Sequence, residues 1–245
     1  MSIPDLFAET LQRDPARPLL TFYDHSSGER VELSRATTAN WVAKTANMLQ
    51  DSLAATTETT VAIDLPPHWE RVVWMLAAWE VGCRVRIGAP DPADEVAVVG
   101  PDALDGDLPD ADEVVALSLR PLGARFATPP PAGVIDYNAE VLGHGDHFRP
   151  YDPPTSDTPA IVLDEQARSH GACVDAGRRR AADWAVSEQP RVLTGGVMAG
   201  ADVADILLGA LTADGSLVVV AWPTHDRVEA VRADENVTVV DALLA

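Results

Sequence analysis

Three short stretches of the chain carry side chains whose types and spacing could do chemistry. In "HGDH", His144, Asp146 and His147 bring two imidazoles and a carboxylate close together, a donor set that a divalent cation would accept. The surrounding glycines and prolines work against a site, because metal ligands need neighbours that fix their orientation. A solvated loop without metal is the expectation there. In "LTGGVMAG", Thr194, Gly195 and Gly196, with Gly200 further on, follow a β-rich run and precede a helical one. Paired glycines let a backbone approach an anion, yet the spacing is neither G-x-G-x-x-G nor a P-loop, so a tight strand-to-helix turn competes with a binding site. His68 follows a strand end at Leu65, where open α/β sheets bind ligands, although a lone histidine reads more simply as a surface or helix N-terminal residue. Thr194, Gly195, Gly196 and His68 are the ligand-binding candidates. The sequence holds no G-x-S-x-G elbow, H-E-x-x-H or Cys/His pair, so no catalytic residue is assigned.

The charge balance narrows the partners. Across 245 residues the chain carries 38 acidic against 18 basic residues, a net charge of −20, and Lys44 is its only lysine. Such a surface repels phosphate backbones and anionic lipids, so neither nucleic acid nor a membrane is expected as a partner. Cys83 and Cys173 match no zinc or C-x-x-C spacing and read as buried free thiols of a reducing compartment. The acidic opening "MSIPDLFAET" is unlike a signal peptide, and a cytoplasmic location is expected.

The elements that must position these residues follow from periodicity and punctuation. Ser2, with Asp5 three residues on, predicts a capped first helix. "PLLTFYD" and "ERVEL", joined by Ser26-Ser27-Gly28, predict a hairpin, and Ser34 caps a helix to about Asp51. "TVAIDL", the helix "HWERVVWMLAAWEVG" ending at Gly82, and "RVRIG" make a βαβ unit, which implies parallel strands. Trp69, Trp74 and Trp79 spread round that helix, so either both its sides are packed or one is a contact surface. "EVAVVG" and "EVVALSL" are further strands, and residues 127–159 read as a long Pro/Gly/Asp-rich surface connection. Beyond it come a strand at "AIVL", a helix over 165–187, "RVLT", a helix over 200–212, "SLVVVAW", a helix over Thr224–Glu235 and "VTVV". The alternation predicts one α/β domain with a doubly wound, mainly parallel sheet: residues 1–59 as N-terminal helix, hairpin and helix, 60–126 and 160–245 as its two βαβ parts.

On these residues the chain resembles the N-terminal domain of the adenylate-forming superfamily, the acyl-CoA synthetases and their relatives, in a short, actinobacterial-type form. The resemblance is collinear from "DLFAETLQRDPARPLLTFYD" through "VAIDLPPHWERVVWMLAAWEVGCRVRIG" and "DTPAIVL" to "DGSLVVV…VEAVRADENVTVV". In that superfamily the strand similar to Ala160–Leu163 is followed by T-S-G-T-T-G-x-P-K, whose backbone N–H groups and lysine hold ATP phosphates. Here Leu163 runs through Asp164 and Glu165 straight into "QARSHGACV", so the resemblance implies a deleted phosphate loop, with two carboxylates capping a helix in its place. It also implies that the later magnesium-binding residues and the lysine-bearing domain are missing.

The reading is a truncated, non-catalytic protein that uses no cofactor and binds a partner or a small ligand. The alternative is a residual nucleotide- or acyl-substrate enzyme, completed by another chain, and a third is a metal-dependent hydrolase using "HGDH". The wide apolar arc of "ADVADILLGALT" and the tryptophan helix raise the expectation of a homodimer or another protein partner.

Overall fold

A computed structural model of the protein describes residues 1–163, 166–186, 189–195 and 200–241. Helix α1 (Ile3–Arg13) begins with a reciprocal capping box. Asp5 N donates to Ser2 Oγ at 3.3 Å, and Ser2 N donates to the Asp5 carboxylate at 2.8 Å. Strands β1 (Pro18–Asp24) and β2 (Glu29–Ser34) form the hairpin, with Gly28 at φ +78° in its turn. Ser34 caps α2 (Arg35–Asn47), which ends in one π-helical turn over Met48–Ser52.

The parallel unit follows as β3 (Thr60–Asp64), α3 (Trp69–Val81) and β4 (Arg84–Ile87). Gly82 closes α3 in the left-handed conformation, at φ +95°, with its N–H on the Ala78 and Trp79 carbonyls. Strands β5 (Val96–Val99) and β6 (Glu113–Ala116) extend the sheet. The expected surface connection is more than that. It contains β7 (Val134–Asp136) and a short α4 (Tyr137–Glu140), and Tyr137 is fully buried, 2.8 Å from Thr45 Oγ1. Asn138 and Val141 are buried beside it, and the prolines and glycines around them mask these anchors in the sequence.

The largest departure from expectation lies after β8 (Pro159–Leu163). A second strand, β9 (Gln166–Ser169), pairs with it antiparallel, Leu163 opposite Gln166. Helix α5 (His170–Asp183) starts only after β9, and its cap is Ser169, which accepts from Ala172 N. The expected cap by Asp164 and Glu165 is therefore corrected as to where the helix begins; those two residues themselves lie outside the described residues. Strand β10 (Arg191–Gly195), α6 (Ala201–Thr212), β11 (Ser216–Ala221), α7 (His225–Asp234) and β12 (Val239–Val240) complete the described chain.

The architecture is α/β with mainly parallel strands, divided between two sheets. One runs β12-β10-β11-β1-β2 and the other β7-β6-β5-β3-β4-β8-β9; among the strands of the described residues, the β1–β2 and β8–β9 pairs are antiparallel and the others parallel. β1 reaches across the sequence to β11, Leu20 opposite Leu217. Helix α3 touches β1 of the first sheet and β3 and β4 of the second, so its tryptophans are wrapped on all sides. Trp69, Trp74 and Trp79 are each at most 1% exposed, which removes the contact-surface reading of that helix. The apolar arc of α6 is likewise taken up inside the chain, where Ile206, Leu207, Leu208, Ala210 and Leu211 are buried and the helix packs on α1, α5 and β11.

Candidate functional site

The site lies where the start of α3 meets the end of β10. A small, mostly apolar pocket, about 30 Å³ inside its walls and open at its mouth, has Val203, Ile206 and Leu207 of α6 on one wall and Leu217 and Val219 of β11 on another. Pro67, His68, Arg71 and Val72 close it from the α3 side, and Thr194 and Gly195 from the end of β10. Three of the four residues singled out in the sequence thus line one pocket, although 126 positions or more separate His68 from the others. Gly196 lies outside the described residues. Gly200, at φ +70°, forms the turn into α6 and donates its N–H to Ile87 O, a structural task.

His68 is not a surface residue. It is the N-cap of α3 and only 4% exposed, and its Nδ1 accepts the Glu70 N–H at 3.2 Å. Burial pushes its pKa down to about 3, so the ring is neutral. An acceptor Nδ1 places the ring proton on Nε2, and this buried N–H has no hydrogen-bond partner among the described residues. Arg71, one turn on, is buried too. Desolvation lowers its pKa to about 10, and the charge of Asp64 works in the opposite direction. The pocket therefore combines an apolar body with a few converging polar groups, the usual make-up of a small-molecule site. Sequence reasoning missed Arg71 and Glu70. Their signal was a pair of charged residues on the first turn of an otherwise apolar helix.

"HGDH" does different work. Asp146 pairs with Lys44 at 2.6 Å, Lys44 Nζ also donates to His144 O, and Asn47 Nδ2 donates to the carbonyls of Gly145 and His147. These contacts latch the segment onto α2. No group of three His, Cys, Asp or Glu side chains able to hold a metal occurs among the described residues. Cys83 and Cys173 are buried free thiols. No helix among the described residues is long and apolar enough to cross a membrane.

The fold is that of acyl-CoA synthetases. The chain superposes on an acyl-CoA synthetase of Brucella canis with a TM-score of 0.77 at 15% identity, covering 96% of this chain and 46% of that one. Acetoacetyl-CoA synthetase of Streptomyces lividans gives 0.77 at 18%, with coverage of 98% and 42%. The N-terminal subdomain of NpsA from Klebsiella oxytoca gives 0.71 at 17%, with 98% and 60%. The chain therefore spans about half the length of these proteins, and at such identities the likeness defines the fold alone. No family model matches the chain. A TIGR03089 family protein of Mycobacterium tuberculosis is 38% identical over 234 residues, 93% of either chain, and the protein belongs to that family.

Proposed function

We propose that the protein is a non-catalytic member of the acyl-CoA synthetase fold that binds a small ligand with an apolar body in the pocket between α3, α6 and β11. The observation that carries this reading is the pocket itself, walled by Val203, Ile206, Leu207, Leu217 and Val219 and opening beside Thr194 at the end of β10. The non-catalytic part is supported by the β8–β9 hairpin. Its strands are paired up to Leu163 and Gln166, leaving two residues where the superfamily it resembles carries nine in a phosphate-holding loop. A clamp for a triphosphate needs positioned N–H groups and a cation, and Asp164 and Glu165 are anions.

Two measurements test the reading. Incubation with ATP, magnesium and a panel of carboxylic acids should release no pyrophosphate above buffer; robust release that is lost on His68→Asn would overturn the non-catalytic reading. N-hexanoylethanolamine, a neutral amide with a short apolar tail, should raise the melting temperature of the wild type and not that of Leu207→Trp, which fills the pocket. Equal shifts in both proteins would place binding elsewhere.

A further inference from the structure

Between β6 and β7 the chain crosses the head of α3 as a loop, residues 118–125, that lies outside both sheets and contains one tight turn at Pro121–Gly123. Leu119, Leu122 and Gly123 sit at φ +51°, +60° and +65°. Two of these are bulky residues in a conformation that such side chains rarely adopt, so the loop is strained and must be held.

Contacts from three elements hold it. Asn138 of α4 accepts from Ser118 N at 2.9 Å and donates to Gly123 O at 3.3 Å, gripping the loop near both ends. Glu29 of β2 accepts from Leu122 N at 2.9 Å. The Glu70 carboxyl of α3, bound by the same Asn138 amide, lies beneath Gly123. A Cβ on Gly123 would stand 3.4 Å from Glu70 Oε1 and equally close to the rings of Trp41 and Trp69. The loop thus covers a buried acid. Its Leu119 also lines a cleft of about 570 Å³ beyond the carboxyl ends of β1, β3, β5 and β11, the end at which open α/β folds place ligands.

We propose that Glu70 is a proton-controlled latch for this loop. With its proton on, the carboxyl and Asn138 hold residues 118–125 closed; loss of the proton lets the loop lift, so that water reaches the carboxylate and Leu119 leaves the wall of the cleft. The ionisable groups set against Glu70 are Glu29 on β2, Tyr137 on α4 and His68 at the head of α3, while α2 presents the Trp41 ring. His68 is neutral and burial keeps the Tyr137 phenol protonated, so none of the three supplies a positive charge. The Asn138 hydrogen bond favours the carboxylate, but burial outweighs it and holds the pKa up at about 8. Opening is the cheaper relief, because it releases backbone strain and Leu122 is already 80% exposed.

In the open loop the carboxyl titrates near its ordinary 4.5, so between that value and about 8 each opening releases one proton. Hydrogen exchange of the full chain, read by mass spectrometry on peptides covering residues 117–125, tests this. After correction for the intrinsic rate, wild-type protection should fall roughly tenfold per pH unit between about pH 5.5 and 7.5, as one released proton requires. About 1 M urea should hardly change it, because a local opening exposes little surface, whereas β3 and β5 should lose protection steeply. In Glu70→Gln, a neutral side chain of the same shape, the pH slope should vanish. A flat wild-type profile, or a slope that survives Glu70→Gln, would overturn the latch. So would a urea dependence in the loop as steep as that of β3, since the proton would then leave only on global unfolding.

Discussion

Asn138 Nδ2 donates to Glu70 Oε1 at 2.6 Å, and Glu70 is completely buried on the first turn of α3. Asn138 also accepts from Ser118 N and donates to Gly123 O, so this one contact ties the chain between β6 and α4 to the helix that forms the pocket floor. The other Glu70 oxygen has no hydrogen-bond partner among the described residues. It stands 3.5 Å from His68 Nδ1, a nitrogen already occupied by accepting the Glu70 N–H. A charged carboxylate would be poorly compensated in such a place, and Glu70 is held as the neutral acid.

Alkaline pH should therefore destabilise the protein through Glu70. Desolvation raises its pKa from 4.5 to about 8 against the opposing Asn138 hydrogen bond, with the Glu29 charge adding to the rise. Between these values the folded state holds a proton that the unfolded state has released. The stabilisation is complete below about pH 4.5 and is lost as pH rises to about 8. Glu80, raised by burial to about 7, acts with the same sign. Glu70→Gln should melt higher than wild type at pH 8 to 9, with the gap closing toward pH 5, as read by calorimetry. Superimposable profiles would mean that water reaches the carboxyl.

Acid should act through two buried histidines. Burial pushes His68 down to about 3 and His170 to about 4, while both titrate near 6.5 when unfolded. Below 6.5 the unfolded state takes up protons that the folded state refuses, so stability falls as pH drops from 6.5 toward 3. Set against Glu70 and Glu80, two rising and two falling contributions nearly cancel between about pH 4.5 and 6.5. From these four groups a broad maximum of the melting temperature is expected in that window. His68→Asn should shift the acid-unfolding midpoint to lower pH.

Local rules carried much of this fold, and long-range pairing carried the rest. The Ser2 and Ser34 caps, the Gly82 stop and the Ser26–Gly28 hairpin each depend on a few neighbouring residues, and the sequence displays them. The split into two sheets depends on β1 meeting β11 nearly two hundred residues away, and no local pattern encodes that choice. Strand β9 was hidden for a different reason: the Gln, Ala and Arg of "QARS" are good helix formers, and pairing with β8 overrides their propensity. Thr194 and Gly195, expected in a strand-to-helix turn, are the last two residues of β10, and their meeting with His68 was not legible, because it needs both sheets in place.

The buried pair Arg35–Asp214 should be the most sensitive ionic contact. Arg35 is fully buried and reaches Asp214 at 2.8 Å, while its other nitrogen donates to Thr10 O; Arg17 approaches the same carboxylate at 3.2 Å. The contact ties α1, the start of α2 and the turn before β11 together. Asp214 sits at φ +55°, which asparagine tolerates, so Asp214→Asn removes charge without straining the backbone. It leaves a buried guanidinium uncompensated and should cost at least about 2 kcal/mol in urea unfolding, even after allowing for the partial exposure of Asp214. A loss below about 0.5 kcal/mol would show that solvent compensates Arg35.

Gly177 sets the distance between α5 and α6, and through it the width of the pocket. A Cβ at Gly177 would lie 2.6 Å from Leu208 Cβ, 2.7 Å from Leu208 C and 2.9 Å from Gly209 N. Two of those three atoms are backbone, so no change of rotamer relieves the clash and α6 must move. Alanine favours a helix over glycine by up to about 1 kcal/mol, whereas overpacking a fixed interface costs about 1–3 kcal/mol. Gly177→Ala should therefore lower the melting temperature despite its better helix propensity. The moving helix carries Val203, Ile206 and Leu207, which form one wall of the pocket. The same substitution should accordingly weaken binding of N-hexanoylethanolamine, although Gly177 itself does not line the pocket. A stabilised variant with unchanged binding would show that the helices separate without carrying the wall with them.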